Sequence, residues 1–374
     1  MAFPRLVAND SVVGIDIGSR VIKIMHAELV KQGVRVTHVA MCPTPPASVK
    51  DGVVVDTTAV ASAIKFALRL QGIKTTGAVA AIVGPGVTVR QVQMPKMSES
   101  ALRKSIRFEA GRFISTSIED SIVEFDILKD PIEEGHMNVV LAAAPRAMID
   151  SRVIVLEEAG LEPLAIDVEV FAAMRALVDY GDDTSIRTGT IAMLDMGASH
   201  TEINLISNGR LALTRTIPIA GDSLSNAIKN AEGCNDDEAE RKKYALDLTD
   251  LIGLPPGSTD DATLRVVQSL IDELLREIRR SINYYQSQLG EGTSDAVIKT
   301  LYLSGGTSRL SGLAEYTKSR LGIDVTSANP MLIRLLQQAE LSGTGEEDIP
   351  LLGVAFGLAV RELSNNARIV FSAA

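Results

Sequence analysis

From Val12 to Ile17 the chain is an apolar run interrupted by Asp16. It breaks at Gly18-Ser19 and resumes as "VIKIMHAEL", then turns at Lys31-Gln32-Gly33 into "VRVTHVAM". Alternating runs bounded by Gly predict strands, so this segment predicts a three-stranded meander. The spacing then lengthens. Val60, Ile64, Ala67 and Leu68 share one face of a helix predicted over about Thr57 to Gln71, with a strand after it from Ala78 to Val83.

The same pattern returns in the second half. "IAMLDMGASHTEINLI", Ile191 to Ile206, again reads apolar strand, Asp, apolar, Gly, small residue, alternating strand. Asp195 matches Asp16, Gly197 matches Gly18, and Ala198 matches Ser19. An Asn208-Gly209 turn leads into "LALTRTIPI", and Asn-Gly between alternating strands is a strong hairpin signal. Helices are predicted from Asp222, from Asp236 and over Ala262 to Gln288, where apolar residues keep helical spacing throughout. A strand from Ile298 to Leu303 enters the Gly-Gly turn of "LYLSGGTSRLSGL", with a helix from about Leu310. "PLLGVAFGLAVREL" is a small-residue helix suited to close packing.

Between the halves, Val87 to Ile166 breaks the symmetry. It predicts a turn and a helix opening at Ser98, strands in "EDSIVEFDILKD" and "MNVVLAAAP", and a helix closing at Gly160. This is the pattern of a small inserted α/β subdomain.

Composition narrows the class. A chain of 374 residues exceeds one compact core, so at least two domains are expected. There is no Trp, which leaves an aliphatic core. A net charge of −10 without a Lys/Arg run argues against nucleic acid as the main partner. Cys42 and Cys234 form no framework, which fits a reducing compartment. His26, His38, His136 and His200 lack metal-ligand spacing. "MAFPRLVANDS" lacks the apolar core of a signal peptide, and "NNARIVFSAA" carries no basic amphipathic helix. Any attachment to a membrane is therefore expected to run through another protein.

The Asp-containing turns carry the candidate chemistry. A carboxylate between two isoleucines is costly to bury unless something pairs with it. Gly18 lets an anion approach the backbone, and turn N–H groups cradle phosphate oxygens. Ser19, Arg20 and Lys23 add donors. Gly197, Ala198, Ser199 and His200 form the matching turn in the second half. Two such turns would grip a polyphosphate, with Asp16 and Asp195 holding Mg²⁺ through its waters. Glu240 and Lys243, at i and i+3 of a helix, read either as a solvated surface ion pair or as ligands of ribose hydroxyls. Gly305, Gly306 and Arg309 would border the base, and Gly221-Asp222 open a helix as another anion site. There is no P-loop and no dinucleotide fingerprint.

The order of these four motifs resembles the actin-like ATPase superfamily. The details, including "PPASVKDGVVVD", "VRQVQMPKMSESALRKSIRFEAGRFI" and "GLEPLAIDVEVFAAMRAL", resemble the PilM family of type IV pilus assembly, a relative of the division protein FtsA. The resemblance implies an α/β actin-like ATPase fold: two duplicated ribonuclease-H-like domains with an inserted 1C-type subdomain. It divides the chain into 1–86 with 167–187 as domain 1A, 87–166 as subdomain 1C, and 188–374 as domain 2, whose C-terminal helix returns to domain 1. It implies ATP and Mg²⁺ as cofactors, with weak ATPase activity at most. Asp16, Gly18 and Ser19 then match the first phosphate motif, and Asp195, Gly197 and Ala198 the second. Glu240, Lys243, Gly305 and Gly306 match the adenosine motifs. Asp167 or Glu169, in "IDVEV", is placed to orient an attacking water, with a plain turn and cap as the other reading. The implied partner is the short N-terminal tail of a PilN-like inner-membrane protein, bound in a groove near the inserted subdomain. The implied location is the cytoplasmic side of that membrane, and the implied process twitching motility. An FtsA-like division or cytoskeletal protein and a small-molecule kinase of the same superfamily are the alternative functions. Arg20 departs from the superfamily, where a smaller polar residue is frequent.

Overall fold

The computed structural model describes residues 10–31, 33–114, 117–128, 135–181, 184–289, 297–326 and 345–363. Most of the "MAFPRLVANDS" start, Gln32 of the first predicted turn, and the "NNARIVFSAA" tail lie outside the described residues. The described residues form two units, 10–176 with 354–363 and 177–326 with 345–353.

In the first unit, β1 (Ser11–Ile17), β2 (Val21–Val30) and β3 (Gly33–Pro43) form the meander. A short hairpin, β4 (Val49–Lys50) and β5 (Val53–Val54), leads to α1 (Thr57–Leu70), whose N-cap is Asp56. Asp51 and Gly52 both have positive φ, the conformation that a two-residue hairpin turn of matching twist requires. β6 (Gly77–Ile82) then pairs parallel with β1.

The inserted segment contains β7 (Thr88–Pro95), α2 (Glu99–Ala110), β8 (Ser121–Ile127) and β9 (His136–Pro145). Its antiparallel sheet has the order β7-β9-β8. Leu102 and Ile106 of α2 share a separate small core with Val139 and Leu141 of β9.

The chain re-enters the main sheet through α3 (Arg146–Glu158) and β10 (Glu162–Val168), and α4 (Glu169–Met174) follows. The main sheet has the order β10-β6-β1-β2-β3. Val155 and Leu156 of α3 lie in one core with Val60 and Ile64 of α1. The segment 146–166, which the sequence assigned to the insertion, therefore belongs to the main layer. Its helix buries Val155 and Leu156 against α1, and only its first turn, at Met148, touches Ala144 of the inserted sheet.

The second unit repeats the plan. β11 (Thr190–Met196), β12 (Thr201–Ser207) and β13 (Arg210–Ile217) form a meander, followed by α5 (Gly221–Glu232), α6 (Asp236–Ala245) and α7 (Ala262–Gln288). β14 (Ile298–Ser304), α8 (Leu313–Leu321) and β15 (Asp324–Thr326) complete a sheet of order β13-β12-β11-β14-β15. Strand for strand, this is the order and direction of the first sheet. The helix predicted from Leu310 begins at Leu313, because a 3₁₀ turn occupies Gly306–Arg309 and Gly312 takes a left-handed conformation before the helix.

The last helix, α9 (Gly353–Arg361), is buried from Val354 to Val360. A Cβ at Gly14 of β1 would lie 2.2 Å from the Ala355 carbonyl oxygen and 2.4 Å from the Ala359 nitrogen. Only glycine permits that approach. Among the described residues no helix is long and apolar enough to cross a membrane.

Candidate functional site: two Asp–Gly turns and a Gly-Gly turn

Asp16 is 5% exposed and lies one residue from the end of β1. Its register partner across the hairpin is Lys23, whose Nζ donates to Asp16 Oδ2 at 2.8 Å. This ion pair gives the buried carboxylate its partner within the protein. The turn itself is braced from β3 and the residue after it. Thr44 donates its hydroxyl to the Gly18 carbonyl at 2.7 Å and its amide to the Arg20 carbonyl at 2.9 Å. A Cβ at Gly18 would meet the Val21 carbonyl at 2.8 Å. Ser19 is half-buried and Arg20 is exposed.

Asp195 occupies the matching place on β11, and its register partner is Glu202. The pair is therefore two carboxylates where the first unit has a carboxylate and an ammonium. Burial, together with the Asp195 charge, pushes the Glu202 carboxyl up to about 7, against hydrogen bonds from Thr216 and Asn204. Ser304, at the end of β14, donates to Asp195 Oδ2 at 2.7 Å. Asn204 Oδ1, on the same strand as Glu202, is buried without a hydrogen-bond partner.

The second turn is held more tightly than the first. Gly197 O accepts from the Gly221 amide at 3.1 Å and from the Thr307 hydroxyl at 2.7 Å, and Ala198 O accepts from the Asp222 amide at 2.8 Å. The sequence read Gly221-Asp222 as an open anion site. Their amides instead bind turn carbonyls, so the start of α5 is a brace for the turn. Ser199 Oγ and His200 Nδ1 lie 2.9 Å apart at its exposed tip.

Glu240 and Lys243 are not a surface pair. Lys243 is 1% exposed, and its Nζ donates to Glu240 at 2.7 Å, to Ser225 at 3.1 Å and to the Gly221 carbonyl at 3.4 Å. Ser225 also donates to Glu240 at 2.6 Å. This network ties α6 to the start of α5 and so to the turn at Gly197.

Gly305 has φ +86°, and its amide donates to the Pro350 carbonyl at 2.9 Å. A Cβ there would sit 2.5 Å from Met196 O and 2.7 Å from Asp195 Oδ1. Gly306 differs, because a Cβ on it would meet no atom within 4 Å. Tyr244 donates to the Gly306 carbonyl at 3.2 Å, and the Arg309 guanidinium lies over the Tyr244 ring at 5.4 Å while pairing with Asp348 at 3.3 Å. The second unit thus gathers Asp195, Gly197, Gly221, Lys243 and Gly305 around one turn. The first unit gathers Asp16, Gly18 and Lys23.

Of the two carboxylates offered for a water, Asp167 is committed elsewhere. It pairs with Arg175 at 3.1 Å and Arg361 at 3.2 Å, anchoring α9. Glu169 opens α4 and is half-buried. Reading residues singly missed Glu202, Ser304, Thr44, Thr307 and Tyr244. Glu202 had a signal, since it stands as far beyond Asp195 as Lys23 stands beyond Asp16.

A family model for the type IV pilus assembly protein PilM matches residues 14–363. The chain belongs to the PilM family. A solved PilM-PilN type IV pilus biogenesis complex superimposes with a TM-score of 0.80 at 26% identity, over 96% of this chain and 100% of that one. The ethanolamine utilization protein EutJ of Carboxydothermus hydrogenoformans shares the fold at a TM-score of 0.56 and 19% identity, over 95% of this chain and 92% of that one. The fold is that of the actin-like ATPases. The cell division protein FtsA of Agrobacterium fabrum is 29% identical over 167 residues, and the match spans 40% of this chain and only 36% of that protein. FtsA of Bacillus subtilis is 21% identical over 90% of this chain and 82% of its own length.

Proposed function

We propose that this chain is a nucleotide-binding assembly protein of the type IV pilus machinery, which binds ATP with Mg²⁺ and docks the N-terminal tail of a PilN-like inner-membrane protein. One observation carries the nucleotide reading: an Asp–Gly turn recurs at the same position of two sheets of identical strand order, at Asp16 and at Asp195. The residues fit the group. Glycine stands where a side chain would strike the turn at Gly18 and Gly305, while the space over Gly306 is open. The acidic oxygens of Asp16 and Asp195 are of the type that Mg²⁺ takes, directly or through water.

In the first unit, Asp16 would hold the metal, and Gly18, Ser19, Arg20 and Lys23 the phosphates. In the second, Asp195 would hold the metal and Gly197, Ala198 and Ser199 the phosphates. Glu240 and Lys243 would meet the ribose, and Gly305, Gly306 and Arg309 the base. Gly221 and Asp222 act by bracing the second turn. Bound Mg²⁺ would offset the polyphosphate charge. Glu169 would orient the attacking water in a slow hydrolysis, since Asp167 is already paired with two guanidinium groups.

The partner reading rests on family membership and on the likeness to the PilM-PilN complex. A tail bound as an extended segment would use backbone hydrogen bonds for affinity and side-chain pockets for register. Such a partner would hold the chain at the cytoplasmic face of the inner membrane.

Thermal unfolding tests the site. Mg-ATP at ~100 times its dissociation constant adds about 2.7 kcal/mol of stability. Asp16→Ala should remove most of that shift, and an unchanged shift would remove Asp16 from the metal site. Calorimetry with a synthetic tail peptide of the PilN-like protein, with Mg-ATP present, tests the partner, and absence of binding would end that part of the reading.

A further inference from the structure

Among the described residues Arg152 is the largest fully buried side chain, 1% exposed. It sits on α3, in the first unit. Its hydrogen bonds go to neutral oxygens: Nε to the Ala81 carbonyl at 3.3 Å, and Nη1 to the Gly52 carbonyl at 2.5 Å and to Ser151 Oγ at 3.4 Å. A buried charge is costly unless opposite charge lies near. Ala81, whose carbonyl it holds, pairs in register with Asp167 of β10 and follows Ala80, the partner of Ile15 on β1. The guanidinium therefore lies at the strand ends that carry Asp16 and lead into Glu169, whose charges favour its charged form against burial. Both belong to the proposed nucleotide site.

The other side of Arg152 faces the stem of the inserted sheet. Gly52 is the second turn residue of the β4–β5 hairpin, and a Cβ there would lie 2.4 Å from Val83 O and 2.6 Å from Met148 Cε. Val54 N donates to Ser151 Oγ at 3.3 Å, so α3 grips the hairpin at both ends of its second strand. Ile82, Ala144 and Met148 form a small core of their own, joined by Val53 and Val87. Ile82 and Val87 bracket the chain's entry into the insertion, and Ala144 and Met148 bracket its exit. Gly86 packs against Pro145 so closely that a Cβ would be 2.8 Å from its ring.

We infer that Arg152 is a positioning residue that couples the carboxylates Asp16 and Glu169 to the stem of the inserted sheet through the Asp51–Gly52 turn. The guanidinium answers two demands at once. Its charge adds to that of Lys23 near Asp16 and opposes that of Glu169, carboxylates that must also face an incoming polyanion, and its planar fork fixes a backbone carbonyl at the stem. A change in charge beside Asp16 alters the pull on Arg152, and Arg152 holds the hairpin that packs on the stem. The inference rests on the nucleotide reading above.

The full chain, as wild type, Arg152→Gln and Arg152→Lys, tests it. Calorimetry reads Mg-ATP affinity, and hydrogen exchange reads residues 48–55, 82–88 and 143–149 with and without Mg-ATP. In the wild type, Mg-ATP should slow exchange in all three segments. Arg152→Gln should weaken Mg-ATP about fivefold or more and abolish the added protection. Arg152→Lys keeps the charge but lacks the fork, so it should hold affinity within about threefold and still lose the protection. A purely structural arginine would instead lower both readouts together in both variants. Should Arg152→Gln fail to fold, Arg152→Lys decides alone: protection lost with affinity kept supports the coupling, and protection kept overturns it. Wild-type affinity in a folded Arg152→Gln, or unchanged stem exchange in the nucleotide-bound wild type, also overturns it. If the wild type binds no Mg-ATP, the functional reading fails first and the coupling falls with it.

Discussion

Lys23 and Glu202 occupy the same position of two duplicated hairpins, each directly across from the aspartate that precedes the turn, and they carry opposite charge. In the first unit the aspartate is neutralised from within the protein. In the second it faces another carboxylate. The duplicated frame has thus been kept while the electrostatics of its two turns diverged. The first turn is self-contained, whereas the second concentrates negative potential that a cation would relieve.

The ion pair of the first turn should be indispensable to its stability. Its side chains are only 14% and 7% exposed. Removing one partner leaves a buried charge alone, which costs about 3–5 kcal/mol. Lys23→Met should therefore lower stability in urea unfolding by roughly that amount. Lys23→Met with Asp16→Asn should recover a large part of it. An additive double variant would show that the pair is not coupled.

Glu202 gives the stability a defined pH dependence. Its carboxyl titrates at about 7 in the fold and in the ordinary carboxylate range when unfolded. The folded state therefore holds the proton more tightly. Its contribution is fully present below the unfolded pKa and is lost as pH rises through about 7. The loss is on the order of 3 kcal/mol at most. Glu202→Gln, which stays neutral, should flatten the fall in melting temperature between about pH 5 and pH 8. An identical slope in both proteins would contradict the assignment.

Much of this frame was legible in the sequence, because alternation and turn chemistry are local. The meanders, the helices with a clear apolar face and the Asp–Gly repeat at Asp16 and Asp195 all announce themselves within a few residues. The elements that escaped are those whose apolar face is set by tertiary partners. β7 reads "TVRQVQMP", with Arg90 and Gln91 exposed in succession, so its alternation is blurred. The β4–β5 hairpin has two residues per strand, too few for a period. The boundary of the insertion failed for a similar reason. α3 carries both apolar and polar residues on several faces, and only its packing against α1 shows to which layer it belongs. The site was legible as a list of turns but not as a network. That Lys243 is buried depends on contacts between α5 and α6, and that Gly221 and Asp222 hold the second turn depends on contacts between α5 and the loop after β11.

Gly305 and Gly306 should respond differently to alanine. Gly305→Ala places a Cβ against Met196 O and Asp195 Oδ1 at a left-handed backbone position, so it should destabilise the protein by more than about 2 kcal/mol. Gly306→Ala meets no atom within 4 Å and should leave the melting temperature within a degree or two. If the base approaches this backbone, Gly306→Ala should still weaken Mg-ATP about tenfold. Equal loss of stability in both variants would refute the distinction.

Asp167 should prove structural. Its pairs with Arg175 and Arg361 hold α9 against the first unit. Asp167→Asn should cost about 2–4 kcal/mol in denaturant unfolding while leaving nucleotide affinity within threefold. Glu169→Gln should slow hydrolysis and cost less stability than Asp167→Asn, the loss being what a weaker counter-charge for buried Arg152 brings. Parallel losses in the two variants would place Asp167 in the reaction after all.

The most direct measurement is a calorimetric titration of the full chain with ATP in the presence and absence of Mg²⁺, alongside Asp16→Ala and Asp195→Ala. A saturable, Mg²⁺-dependent uptake of nucleotide, weakened at least tenfold by each substitution, is the expected result. Binding that is absent in the wild type, or that survives both substitutions unchanged, would contradict the assignment of the Asp–Gly turns to nucleotide binding.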